Sequence, residues 1–198
     1  MEIPEDIFPL ANEKGTDSQH INVAYMRQLV ANSKRLQLED LETLIVEHHA
    51  YLASGGAGGQ WKTIAVNGLV IGFYLGAEGK KGKQANLERR KIYSNLTMKN
   101  LQVPFANCCG MEAIAIDFSG GDWSYSLFTD VLLNGCDFSG TNLQQSDFSR
   151  AQLVGTNFNN ANLKGVDFEN CNLEGASFIG AALPGARFPG AILKDVKY

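Results

Sequence analysis

From Phe118 onward the chain places a large apolar residue at every fifth position. The series is Phe118, Trp123, Phe128, Leu133, Phe138, Leu143, Phe148, Leu153, Phe158, Leu163, Phe168, Leu173, Phe178, Leu183, Phe188, Leu193 and Tyr198, sixteen periods without an insertion. Two residues before each large one stand Ile116, Gly121, Ser126, Val131, Cys136 and their successors to Ala191, and after Ile116 none is bulkier than Val. The residue directly before the large one is often Asp or Asn, and Gly follows two places after it in 9 of 16 periods. Turn-forming residues therefore recur once per period.

A period of five matches neither the 3.6 of a helix nor the 2.0 of a flat strand, so the chain must turn a corner in every period. If each pentad makes one side of a square, four make a coil of 20 residues, and residues 20 apart stack at the strand spacing of ~4.8 Å. Phe118, Phe138, Phe158, Phe178 and Tyr198 then form one ladder, and Phe128, Phe148, Phe168 and Phe188 the opposite one. Trp123 with Leu143, Leu163 and Leu183, and Leu133 with Leu153, Leu173 and Leu193, close the other two sides. These sixteen residues, Phe118 to Leu193, are the expected structural core, and the small residues beside them let the backbones approach.

Units such as Cys136-Asp137-Phe138-Ser139-Gly140, Thr141-Asn142-Leu143-Gln144-Gln145 and Ala161-Asn162-Leu163-Lys164-Gly165 resemble the pentapeptide-repeat family, whose unit is Ala-(Asp/Asn)-Leu-x-x. The match spans residues 116–195 and extends weakly back to about Leu96. The resemblance implies an all-β solenoid, a right-handed quadrilateral β-helix; the handedness comes from the family alone. Met98, Val103, Cys108 and Ala113 hold the ladder phase before Phe118, while Leu96 and Leu101 suggest another, so a register change is expected near Pro104 to Gly110.

The first half reads as an N-terminal α-helical cap. Residues 1–17 are an irregular lead-in; Ser18 is a plausible N-cap for Ile21, Tyr25, Met26, Leu29 and Val30, and Leu38, Leu41, Leu44, Ile45 and Leu52 keep helical spacing again. Ser54-Gly55-Gly56 stops that helix. A coil end exposes strand edges and core, which such helices would cover. Ile64, Leu69 and Tyr74 are five apart, so Gln60 to Leu75 is expected as a degenerate first coil, followed by a basic loop from Gly76 to Lys91. The resulting division is 1–59 lead-in and cap, 60–95 degenerate coil and loop, and 96–198 β-helix.

Composition agrees: eight of the 11 Phe are rungs of the ladders, and nine of the 21 Gly recur at the turn position. The net charge of −4 argues against binding a nucleic-acid backbone, which takes clustered Lys and Arg. No apolar stretch reaches the ~18 residues of a membrane span, and the acidic start Met1-Glu2-Ile3-Pro4-Glu5-Asp6 lacks a secretory leader, so the cytoplasm is the expected location, with a secreted-effector route left open.

Candidate chemistry is thin. Cys108, Cys109, Cys136 and Cys171 form no C-x-x-C pair, His48 and His49 are adjacent rather than i, i+4, and the Gly-rich Ser54 to Gly59 matches no phosphate loop. A filled interior leaves no room for a substrate. No catalytic residue, metal or cofactor is expected.

The function expected first is therefore a non-enzymatic protein–protein interaction or scaffold module. In the last coil Asp/Asn positions become Ala182 and Ile192, Pro184 and Pro189 appear, and Ile179, Val196 and Tyr198 add apolar surface; these seven residues are the candidate interface, for a partner or for a homodimer through the C-terminal coil. Two alternatives rest on the resemblance. One is a DNA-mimicking modulator of gyrase or another topoisomerase; the other is a bacterial effector or accessory part of a secretion system. Residues 96–198 hold ten Asp and Glu against six Lys and Arg, net −4. About five coils over residues 96–195 rise roughly 24 Å at the strand spacing, and duplex DNA of that length would carry about 14 negative charges, so charge ranks the mimic second.

Overall fold

The structure, a computed structural model, describes residues 35–55 and 84–198 together with the backbone of residues 60–66 and 69–75. Parallel bridges join residues 20 apart on four sides. Asp117, Asp137, Asn157, Ser177 and Lys197 follow one another on the first side, and Asp122, Asn142, Asn162 and Ala182 on the second. Leu127, Asp147, Asp167 and Arg187 mark the third, and Leu132, Gln152, Asn172 and Ile192 the fourth. Each side is one pentad, and each coil is bonded to both neighbours: Phe138 N–H donates to Asn157 O at 2.7 Å above, and Asp137 N–H to Ile116 O at 2.9 Å below.

The corners explain the period. Every fifth residue from Asn100 to Asp195 has positive φ, and half of these twenty positions are Gly. At the Phe138 corner, Thr141 N–H donates to Phe138 O at 3.2 Å and Gly140, third in the turn, has φ +63°. A left-handed third residue is the mark of a type II turn, and it reverses the chain toward the next side of the square.

Inside, the expected ladders form. Phe118, Phe138, Phe158 and Phe178 stack at 4.6, 5.5 and 5.2 Å between centroids, and Phe128, Phe148, Phe168 and Phe188 at 4.6, 5.5 and 5.1 Å. The two walls meet edge to face, as Phe138 does with Phe148 at 6.1 Å. Offset stacks within a wall and edge contacts between walls suit the charge distribution of the rings. The ladder residues are buried through Phe178, whereas Leu183 and Phe188 are half-buried and Leu193 is 41% exposed, because no coil stacks on this rung.

The small residues have a second task. Thr141 Oγ1 donates to Phe118 O at 3.0 Å, Ser146 Oγ to Trp123 O at 2.9 Å and Cys171 Sγ to Phe148 O at 2.8 Å. They satisfy carbonyls that the core would otherwise strand. Outside the ladder, each Asp or Asn accepts the N–H two residues on, as Asp137 does from Ser139 at 2.8 Å and Asp147 from Ser149 at 2.8 Å. These Asx turns clamp each such pentad across its large residue. Pro104, Pro184 and Pro189 stand where that N–H would be, and each follows a residue that is not Asx, namely Gln102, Ala182 and Arg187.

Three expectations need correction. The register change does not lie at Pro104 to Gly110, where Val103, Cys108 and Ala113 keep phase and are buried. It lies at Tyr93 to Thr97: Asn86 pairs with Asn107 and Lys91 with Glu112, 21 apart, and Ile92 precedes Met98 by six. One extra residue is absorbed there with Leu96 buried. Second, Gln60 to Leu75 is an antiparallel hairpin, β1 (Gln60–Val66) and β2 (Leu69–Leu75), with Val66 opposite Leu69. The Asn-Gly pair at 67 and 68 is the sequence signal for it. Third, Arg89, Arg90 and Lys91 belong to the coil rather than to a basic loop: β3 (Lys91–Ile92) pairs with β4 (Glu112–Ala113).

The helix expected after Ser18 lies outside the described residues. The second one forms as α1 (Leu38–Ala53), begun by a reciprocal capping box between Gln37 and Asp40 and ended beyond Ser54 at Gly55, φ +83°. Arg35 bridges to Lys91, and Leu36 N–H donates to Lys91 O at 2.9 Å. Leu36 and Leu41 join the core at the first coil, with Leu44 and Ile45 packed against it.

Candidate functional site

With the interior of the described coil filled, its outer sides and ends are the surfaces open to another molecule. On the first two sides the outward residues are mostly Asp, Asn and Ser, tied between coils: Asn142 Nδ2 donates to Asp122 Oδ1 at 3.1 Å, Asn162 Nδ2 to Asn142 Oδ1 at 2.9 Å, and Asn157 Nδ2 to Asp137 Oδ1 at 2.9 Å. On the third side Arg150 holds Asp130 in a bidentate pair at 2.8 and 3.0 Å, and Arg187 reaches Asp167 at 2.8 Å. On the fourth, Lys91 meets Glu112 at 2.8 Å and Lys194 meets Glu174. Cations and carboxylates thus cancel along the columns rather than building one charged face.

All four cysteines and His48 are buried among the described residues, and His49 is exposed. Burial pushes Cys109 and Cys171 up to about 12 and Cys136 up to about 11, and Cys108 goes well above the ordinary thiol value. A thiolate nucleophile needs the opposite shift. His48 is fully buried; its Nδ1 accepts the Ala85 N–H at 3.0 Å, and burial, helped by His49, lowers it to about 4. His49 instead contacts Gln102 O at 3.2 Å, so the two imidazoles do not converge. Glu88 is raised to about 7, chiefly by burial, with Asn107 Nδ2 on Oε2 at 3.1 Å and no partner for Oε1 among the described residues. No group of three His, Cys, Asp or Glu among the described residues could hold a metal ion.

The residues expected at an interface all gather on one rung. Ile179, Ile192 and Tyr198 are 50%, 53% and 71% exposed, Ala182, Pro184 and Pro189 are exposed too, and Val196 is half-buried against the core. Sequence reading overlooked the outward aliphatics of the fourth side, Ile114, Leu132 and Val154. Their signal is an apolar outward residue in each successive coil, Leu132 standing 18 residues after Ile114 and 22 before Val154, visible only once the square is drawn.

A family model described as pentapeptide repeat region matches residues 99–178 and 122–198, half of the chain. The chain belongs to the pentapeptide-repeat family. Members of this family form right-handed quadrilateral β-helices and are generally non-enzymatic structural or interaction modules. Among solved pentapeptide-repeat structures, the chain is similar to one from the thylakoid lumen of Arabidopsis thaliana, at 29% identity over 51% of this chain and 70% of that one, TM-score 0.50. It is also similar to QnrB1, a plasmid-mediated fluoroquinolone resistance protein, at 19% identity over 56% of this chain and 63% of that one, TM-score 0.41. HetL, involved in heterocyst differentiation regulation in the cyanobacterium Nostoc sp., matches at 22% identity over 55% and 57%, TM-score 0.33. No curated protein sequence matches significantly. No helix among the described residues of this pentapeptide-repeat protein is long and apolar enough to cross a membrane.

Proposed function

We propose that this pentapeptide-repeat protein is a non-enzymatic protein-interaction module. Its coil is the scaffold, and α1 with Arg35 and Leu36 is the cap on the first rung. The observation that carries the reading is the filled interior: stacked rings at 4.6 to 5.5 Å leave only flat outer surfaces to meet another molecule. Flat, rigid surfaces of this kind recognise proteins by shape and by a few exposed side chains. On this reading the last rung, with Ile179, Ile192 and Tyr198, is one docking site, for a partner or a second copy. Affinity capture with the full chain, set against the Ile192→Asp variant, tests it. Saturable retention of a protein that the variant loses is the expected result; turnover of a small molecule by the purified chain would overturn it.

DNA mimicry is less favoured. Besides the modest net charge, Glu112, Asp130, Asp167 and Glu174 are each paired with a cation, chiefly on the adjacent coil, so they do not present a phosphate-like row. A gyrase supercoiling assay is expected to show neither inhibition nor protection from a quinolone.

A further inference from the structure

The fourth side differs from the others in a way the fold does not require. Ile114 is 60% exposed, Tyr93 49%, and Leu132 and Val154 are half-buried, all pointing outward in successive coils. The ordinary residue at the Leu132 position is Asp or Asn, which would close an Asx turn. Leu132 gives that bond up, and Asn134 Oδ1 accepts the Val154 N–H at 2.9 Å instead. The adjoining corner is bare: Ala115, Gly135, Gly155 and Gly175 occupy it, and a Cβ at Gly135 or Gly155 would meet nothing within 4 Å. The second and third corners carry side chains such as Tyr125, Gln145 and Arg150, whereas the first, with Gly120, Gly140 and Gly180, is nearly as bare. A flat surface can therefore approach this side across that corner.

The stripe is also self-complementary. Leu132 is central, Ile114 lies one coil before it and Val154 one coil after. Two coils before stand Lys91 and Tyr93, with the Arg35 guanidinium 4.9 Å over the Tyr93 ring; two coils after stands Glu174. A two-fold axis through Leu132, perpendicular to the coil axis, sets Leu132 on its own copy. It sets Ile114 on Val154 of the partner subunit, and Tyr93, with the Arg35 guanidinium over its ring, on Glu174 of the partner subunit. We propose that the fourth side is a self-association surface on which two copies of this chain pack face to face and antiparallel. This rests on the reading of the protein as an interaction module and names the surface and occupant. Four coil steps of ~4.8 Å by three outward residues of ~3.3 Å give roughly 200 Å² of flat face per copy. That is well below the ~800 Å² per partner of a standard interface, so the dimer is concentration-dependent.

Sedimentation equilibrium of the full chain across the micromolar range tests this. The mass is expected to rise toward that of two chains, and Leu132→Glu is expected to weaken association by at least about tenfold, since each dimer would bury two facing carboxylates. Ile114→Glu should act in the same direction. Glu112 already occupies the same column as Leu132, so the variant folds, and an unchanged circular dichroism spectrum checks it. Leu132→Cys under an added two-electron oxidant is expected to give a disulfide-linked dimer, whereas Gln144→Cys on the second side stays unlinked. A monomer at every concentration overturns the proposal. So does a dimer that Leu132→Glu leaves intact and Ile192→Asp dissolves, which would keep the interaction reading and move the contact to the last rung.

Discussion

Between Asp117 and Phe178 and between Arg35 and Met98 the molecule solves one problem, burying a narrow core under parallel strands, by two different means. The first region repeats: one corner, one small inner residue and one ladder residue per pentad, with an Asx clamp wherever Asp or Asn precedes the ladder residue. The second is held by contacts that occur once. His48 takes the Ala85 N–H, Asn107 takes Glu88, Arg35 reaches Asn95 at 2.9 Å, and Arg90 approaches Asp40 at 3.8 Å. A repeated solution spreads stability over many similar sites. A solution made of single contacts concentrates it, and makes it sensitive to pH.

The largest expected effect tests the repeated region. Phe148 sits between Phe128 and Phe168 at 4.6 and 5.5 Å and edge-on to Phe138 and Phe158. Phe148→Ala should cost about 3–5 kcal/mol of unfolding free energy in urea titration. A loss below about 1 kcal/mol would mean that the ladder is not where the stability resides.

Next comes the N-terminal junction, where two buried groups pull in opposite directions. His48 falls from 6.5 to about 4 on folding, so the unfolded chain binds the extra proton and stability is lost as pH falls from 6.5 through 4. Glu88 rises from 4.5 to about 7, so the folded chain holds the extra proton and stability is lost as pH rises from 4.5 through 7. Each amounts to about 3 kcal/mol at the far end of its window. The two nearly cancel between pH 4.5 and 6.5. Glu88→Gln should therefore expose a steep acid loss, and His48→Gln a loss toward neutral pH, both read from thermal midpoints against pH. Flat profiles in both variants would contradict the single-contact account.

The smallest effect isolates the corner itself. Gly140 has φ +63° and open space around it, so Gly140→Ala adds backbone strain without a clash, about 1–2 kcal/mol. Ala115, already left-handed at φ +54°, should give part of that back as Ala115→Gly. If both changes are silent, the corner does not set the period.

Legibility in the sequence follows the same division. The ladders, the small inner residues and the Asx positions recur often enough to be counted, and Phe118 to Phe178 stand where spacing put them. The register break was misplaced because both phases carry apolar residues: Leu96 is buried within the insertion and Leu101 packs beside the core. The hairpin was missed because Ile64, Leu69 and Tyr74 share the spacing of the coil by coincidence. Burial of Glu88 has no local signature, since a lone carboxylate beside Arg89 reads as surface. The fourth-side stripe is spread over residues 93 to 154 and becomes a patch only when the coil stacks it.

The three coil prolines carry a consequence for how such a chain can change. Asn162 and Lys164 fill the same places in one coil that Ala182 and Pro184 fill in the next, a carboxamide with its amide donor in the first and neither in the second. Each pair is complete alone. Exchanging one half leaves either a donor without its acceptor or an acceptor without its donor. The two halves are unequal: proline at the second place loses an Asx bond wherever the first is Asp or Asn, while a first place without Asx still accommodates an N–H, which at Val154 is taken by Asn134 of the adjacent coil.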